Sequence, residues 1–241
     1  METPTPKPMP AKLPILLIPG LGGTLRSYAP VLPTLWRFGP VTIANHTSDD
    51  SIAAIARRIL ADAPARFALA GHSMGGYIAF EIMRQAPERV AKLALLNTQA
   101  RADTPEAIAR RQAFAAMLKT AGPDAVLDAM WPYLLHPSRV NDEDLKQLMR
   151  DMRADIGAEA YLRQQKAVIE RIDSRPLLPT ITCPTLVMSG DQDNIISNSL
   201  SVEMADGIRG AKLVILGDCG HMSMNEQPET ATAALTGWLS S

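Results

Sequence analysis

The sequence predicts an α/β fold, a mostly parallel sheet of about six strands flanked by helices, with a helical cap inserted before the last two strands. Three observations carry this. Short apolar runs recur without polar alternation, as strands covered on both faces of a parallel sheet require. The segments between them repeat apolar residues at helical spacing. The alternation then stops, and no convincing strand falls between Asn97 and Pro184.

In chain order, residues 1–12, METPTPKPMPAK, are rich in proline, which lacks an N–H and restricts the residue before it. They read as an extended, poorly ordered lead-in. The strand candidates are ILLI (15–18), VTIA (41–44), FALA (67–70), LALL (93–96), TLVM (185–188) and KLVIL (212–216). Ile52, Ile55, Ala56 and Ile59 mark one face of a helix, and Tyr77, Phe80, Glu81 and Arg84 fall in another. Between Asn97 and Pro184 the stretches 107–119, 124–131, 143–153 and 159–172 read as amphipathic helices. They are punctuated by Gly122–Pro123, Pro132, Pro137 and Gly157. The expected division is therefore a core of 13–97 and 181–241 with a cap of 98–180. The cap would cover the carboxyl edge of the sheet, where open α/β folds bind ligands.

Composition narrows the class. The chain has 241 residues, 46% hydrophobic and 20% charged, ample for one core. The formal net charge of −1 gives no electrostatic case for nucleic acid or an anionic membrane. No apolar run approaches the length of a membrane span, and the first is too short for a secretory core. Cys183 and Cys219 are expected as free thiols in a cytoplasmic protein. The histidines do not cluster at metal-ligand spacing, and Gly20-Leu21-Gly22-Gly23 lacks dinucleotide-binding spacing, so no metal or cofactor is expected.

The chemistry concentrates around Gly71-His72-Ser73-Met74-Gly75-Gly76, which follows the FALA strand and precedes a helix. A G-x-S-x-G turn there exposes the serine hydroxyl at a helix start, and the glycines let the chain pass close to itself. The competing view is a glycine-rich turn with an N-capping serine. A serine needs a base to take its proton. Of the four histidines, His72 adjoins Ser73 on the strained turn and should point away. His46 ends the second strand and His136 lies in the predicted cap. His221, on the glycine-rich loop after the last strand, is the candidate base. Asp193, after TLVM, is the candidate orienting acid, with Asp191 its competitor. The LALL strand ends in Asn97–Thr98 and offers no acid. The oxyanion donors expected are the N–H groups of Met74 and Leu21.

The stretches LLIPGLGG, GHSMGGYIAFE, CPTLVMSGDQD and LGDCGHMSMNEQPE resemble the α/β-hydrolase superfamily, in its compact bacterial esterase and lactonase branch. The resemblance runs from Leu13 to the end, with the cap poorly matched. It implies that Asp193 is the triad acid and that Leu21 donates to the oxyanion. This chain departs from the family in having Pro19 where histidine is common, and no proline soon after Asp193. The family's opening pair of strands has no room in the lead-in. Haloalkane dehalogenases and epoxide hydrolases of this fold attack with aspartate, so Ser73 implies an ester, thioester, lactone or amide.

The expected function is hydrolysis of a small or medium carboxylic ester through an acyl-enzyme. The alternatives are an enol-lactonase, C–C bond hydrolase, aminopeptidase or perhydrolase on the same residues, and, remotely, a non-catalytic binding protein. The partner expected is a small-molecule ester or lactone. Met130, Trp131, Leu134 and Leu135, with Tyr133 beside them and Met117 and Met149 on neighbouring helices, are the candidate pocket lining. No charged cluster in the cap singles out an anionic substrate.

Overall fold

The computed structural model describes residues 12–241; the lead-in, but for Lys12, falls outside them. Strands β1 (Ile15–Ile18), β2 (Val41–Ile43), β3 (Phe67–His72), β4 (Val90–Leu96), β5 (Thr185–Gly190) and β6 (Lys212–Leu216) form one sheet in the order β2-β1-β3-β4-β5-β6. Every neighbouring pair is parallel. The helices are α1 (Leu32–Leu35), α2 (Ile52–Asp62), α3 (Met74–Gln85), α4 (Pro105–Leu134), α5 (Glu143–Ile156), α6 (Ala158–Ile169), α7 (Asn198–Gly207), α8 (Ser223–Glu226) and α9 (Pro228–Ser240).

The period of two along each strand sorts residues by size. Leu16, Ile18, Phe67, Leu69, Leu93, Leu95 and Val187 point to one face, where α2, α3 and α7 pack. Ala68, Ala70 and Ala94 share the other face with Ile15 and Leu17, and there Tyr28, Leu35 and Trp238 fill the space that alanine leaves. The central strands β1, β3 and β5 are buried along their whole length. The edges differ from expectation. β2 stops at Ile43 and is only partly buried, and β6 begins exposed, because an edge strand lacks a neighbour on one side. β4 starts three residues before LALL, at Val90.

The segment between β4 and β5 is helical, as the sequence predicts, with different bounds. The two helices expected over 107–119 and 124–131 are one run, α4, bent at Gly122 (φ 84°, ψ 178°) just before Pro123. Glycine supplies the positive φ, and the proline N needs no acceptor at the start of the next turn. Pro132 sits within the last turns of α4 without ending it. The last expected helix, 159–172, ends at Ile169. Among the described residues no helix is long and apolar enough to cross a membrane.

The order of the strands locates the functional crevice. From β1 the chain moves outward to β2, then returns to the other side of β1 for β3 and runs on to β6. The loops after β1 and β3 therefore leave in opposite senses, and a crevice opens between them at the carboxyl edge.

Candidate active site

Ser73 is the residue between β3 and α3, with φ 52° and ψ −117°. A non-glycine residue there is strained, at a cost of order 1–3 kcal/mol, and persists only if its neighbours hold it. They do. Ser73 N–H donates to Leu96 O at 2.9 Å, and Thr98 Oγ1 donates to Ser73 O at 2.8 Å. A side chain at Gly71 would strike the Gly75 carbonyl, and one at Gly75 would strike the Ile18 carbonyl. The small residues that the turn motif demands are thus explained by backbone against backbone.

Ser73 Oγ lies 3.0 Å from His221 Nε2, and His221 Nδ1 lies 2.8 Å from Asp193 Oδ2. The Asp193 carboxylate also accepts from Ile195 N–H and Ile196 N–H, both at 2.9 Å, and from Asn97 Nδ2 at 3.1 Å. Burial works to raise its pKa, but the adjoining His221 ring and these donors hold it below the ordinary carboxylate value. Asp191, the competing carboxylate, is occupied otherwise: its Oδ1 accepts from Cys219 N–H at 2.9 Å.

The loop carrying His221 is fixed from several sides. His221 N–H donates to Leu134 O, at the end of α4, at 2.9 Å. His72 Nε2 donates to the His221 carbonyl at 2.9 Å, so its ring is turned to the main chain of that loop. Burial and the neighbouring His221 push the His72 pKa down to about 4, keeping it neutral. The buried Glu226 carboxylate accepts from Gly220, Met222 and His136 N–H. Burial raises its pKa, against those donors. Asn97 (φ 46°) joins the two halves: Nδ2 donates to Asp193 and to Gly220 O at 3.2 Å, and Oδ1 accepts from Ser223 Oγ at 2.6 Å.

The loop after β1 is pinned in a similar way. His46 Nε2 donates to Gly20 O at 3.0 Å, and Gly22 N–H donates to Gln164 Oε1, on α6, at 2.9 Å. Burial lowers the His46 pKa, so the ring is a neutral donor. Between these two anchors, Leu21 N–H has no protein acceptor among the described residues, nor has Met74 N–H at the start of α3. Leu21, Met74, Ser73 and His221 all line one cavity of about 1100 Å³.

The far wall comes from α4 and α5. Met130, Tyr133, Leu134 and Met149 line the cavity, with Phe114 and Met152, which the sequence reading missed. Trp131 and Leu135 do not line it, contrary to expectation. Trp131 turns to the α5 side, packs against Met149 and Met152, and donates its indole N–H to Val140 O at 2.7 Å. Successive helical residues face directions about 100° apart, and Trp131 is turned from the Met130 side toward α5. Leu135 is 1% exposed, and its backbone abuts Gly220. Met117 packs beside Tyr161, and His136 lies outside the cavity against Ser138. The sequence shows no charged cluster in the cap that singles out an anionic substrate, but the fold brings Arg110, Arg111 and Arg153 to the wall, with Asp103. Among the described residues no group of histidine, cysteine, aspartate and glutamate could hold a metal.

The profile described as the Alpha/beta hydrolase family matches residues 14–235. The chain belongs to the alpha/beta hydrolase family. Its relatives in the family include "Putative carbamate hydrolase RutD" of Variovorax paradoxus, 29% identical over 86% of this chain and 84% of that protein. Among solved alpha/beta hydrolases, a thermophilic esterase from Thermogutta terrifontis superposes with a TM-score of 0.86 at 30% identity, covering 95% of this chain and 90% of the other. The enol-lactonase from Burkholderia xenovorans superposes at 0.85 with 27% identity, over 96% and 93%. The chain is an alpha/beta hydrolase in both fold and family, and hydrolysis is its reaction class.

Proposed function

We propose that this alpha/beta hydrolase cleaves a small or medium carboxylic ester by a Ser-His-Asp acyl-enzyme mechanism. The observation that supports it most is the continuous line from Ser73 Oγ through His221 to the Asp193 carboxylate, with contacts of 3.0 and 2.8 Å. Ser73 attacks the carbonyl carbon as His221 Nε2 takes its proton. Asp193 holds the ring in the tautomer with Nδ1–H and stabilises the imidazolium. The N–H groups of Leu21 and Met74, free of protein acceptors, receive the oxyanion, each worth about 3 kcal/mol. His221 then protonates the leaving group, and afterwards activates the water that releases the acyl group.

In this reading 98–180 acts as a cap whose Phe114, Met130, Leu134 and Met149 contact the apolar part of the substrate. The half-buried and buried free thiols of Cys183 and Cys219 fit a cytoplasmic setting. The second reading is an enol-lactone, on the same residues, favoured by the likeness to the Burkholderia enzyme. A series of 4-nitrophenyl esters of increasing acyl length tests the first. Ser73→Ala should lower kcat roughly 10⁴-fold or more on the best of them. Activity that survives the substitution sinks the assignment of the nucleophile, and a folded wild type inactive on all esters but active on lactones selects the second reading.

A further inference from the structure

The cavity wall holds a cation that the protein does not neutralise. Arg153, on α5, lines the cavity, and among the described residues no carboxylate lies within 4.0 Å of it. Arg111, on the same wall, is matched to Asp103, as elsewhere Arg171 is to Asp103, Arg139 to Asp142 and Arg26 to Asp155. The acids nearest to Arg153 in charge effect, Asp124 and Asp128, are taken by Arg150 at 3.9 Å and Lys146 at 2.9 Å. Within the cavity, Asp193 is committed to His221, Asp191 to Cys219 N–H, and Asp103 to its two arginines.

The Arg153 guanidinium is nevertheless held in place. It donates to Pro123 O at 3.1 Å and to Met130 Sδ at 3.7 Å, and lies 5.8 Å from the centre of the Tyr161 ring. A guanidinium has five N–H donors in a fork that matches a carboxylate; two here meet weak or neutral acceptors, and the rest are unassigned. Burial disfavours its charge, lowering its pKa from the ordinary arginine value. Desolvating a cation without a partner is costly, and such groups concentrate where a ligand supplies the missing charge. The Tyr161 ring also lies against Gly22, at 3.4 Å from where a side chain there would begin, so one aromatic ring separates Arg153 from the loop proposed to hold the oxyanion. Arg110, also on the cavity wall and without a carboxylate partner among the described residues, adds positive potential.

We propose that Arg153 binds a free carboxylate carried by the substrate away from the scissile bond, so that the preferred substrates are half-esters of dicarboxylic acids or esters of hydroxy acids. This rests on the reading of Ser73 as nucleophile for its chemistry, though the binding of the carboxylate does not. Two substrate pairs test it, mono-4-nitrophenyl adipate against 4-nitrophenyl hexanoate, and the hexanoyl ester of glycolate against ethyl hexanoate. They place the carboxylate on the acyl and the leaving-group side. In at least one pair the wild type should favour the anionic member in kcat/KM, through KM. Arg153→Met should lower that ratio at least tenfold, Arg153→Lys should retain part of it, and Arg150→Met on the same helix should leave it alone. No preference in either pair, or an equal fall in Arg150→Met, would overturn the proposal. Calorimetric titration with adipate decides it separately. Binding by the wild type that weakens tenfold in Arg153→Met supports it even if all four esters resist hydrolysis, which would defeat only the hydrolytic reading. Equal or absent adipate binding in the two proteins overturns it.

Discussion

At the scale of single residues, the two carboxylates after β5 show how position divides labour between identical chemical groups. Asp191 and Asp193 are two apart, and both line the cavity. Asp191 accepts a backbone N–H of the His221 loop, and Asp193 accepts the ring itself. The Ile195 and Ile196 N–H groups, with Asn97, supply Asp193 with donors that favour its ionised form despite burial. An ionised carboxylate at that point is what fixes the Nδ1–H tautomer of His221. Asp193→Asn should therefore lower kcat by about 10⁴-fold with little change in fold, because the amide can present N–H to the ring and select the wrong tautomer. Asp191→Asn should cost far less, since an amide oxygen can still accept from Cys219 N–H. Steady-state kinetics of the two variants on one 4-nitrophenyl ester, with near-ultraviolet circular dichroism to check the fold, compare them directly. Equal losses would refute the division of roles. Asp193 could be selected from chain order and spacing, whereas Asn97 could not. Nothing in the end of a strand announces that its side chain will reach across to a carboxylate 96 positions later.

At the scale of elements, what was legible in the sequence was local. The strand-turn-helix around Ser73 is written in adjacent residues, because Gly71 and Gly75 answer to clashes within that turn and with β1. The buried strands were legible because both faces are covered; β6 has the predicted bounds and β2 ends one residue early, but both edge strands are less buried than an apolar run suggests because each lacks a neighbour on one side. The cavity wall was misread at Trp131, because a helix spreads neighbouring residues around its axis, and at Leu135, which follows α4 in extended backbone and abuts Gly220. The least legible feature is a contact between α6 and the loop after β1, 142 positions apart. Gln164 is 0% exposed, takes the Gly22 N–H, and leans its amide toward His46 O at 3.4 Å, while His46 holds Gly20 O. The peptide planes on both sides of Leu21 are thereby set, and α6 becomes part of what aims the Leu21 N–H. Gln164→Ala should lower kcat about tenfold or more with KM little changed, because misaiming a donor affects the charged transition state more than the bound ester. Gln164→Glu keeps an acceptor for Gly22 N–H and should recover part of the loss. A loss confined to KM, or no recovery by glutamate, would assign Gln164 to packing alone.

At the scale of the whole molecule, the helical segment must be held to the sheet, and its attachments are polar as well as apolar. Ala167 and Val168 of α6 join the apolar layer beneath α2 and α3. At the other end of that interface Asp103, 2% exposed in its side chain, bridges Arg111 of α4 at 2.5 Å and Arg171, after α6, at 2.8 Å. The Arg171 guanidinium is also stacked 4.1 Å over the ring of Tyr77 on α3. One carboxylate thus ties the start of the segment, its end and the helix behind Ser73. Burial works to raise the Asp103 pKa, but the two guanidinium groups lower it further, and the folded carboxyl sits below its ordinary value. A depressed folded pKa means that folding binds fewer protons than unfolding. The stability this group contributes is complete above the unfolded pKa of about 3.9 and disappears as pH falls through the lower folded value. Asp103→Asn removes the charge while keeping the shape, leaving Arg171 buried without a counter-ion, and should cost about 3 kcal/mol at pH 7. Urea denaturation of the two proteins from pH 7 to pH 3 gives the test. The gap between them should be constant down to about pH 4 and narrow below it, as the wild-type carboxyl takes up a proton and comes to resemble the amide. A gap that stayed the same across the whole range would mean that Asp103 holds the segment by shape and hydrogen bonding rather than by its charge.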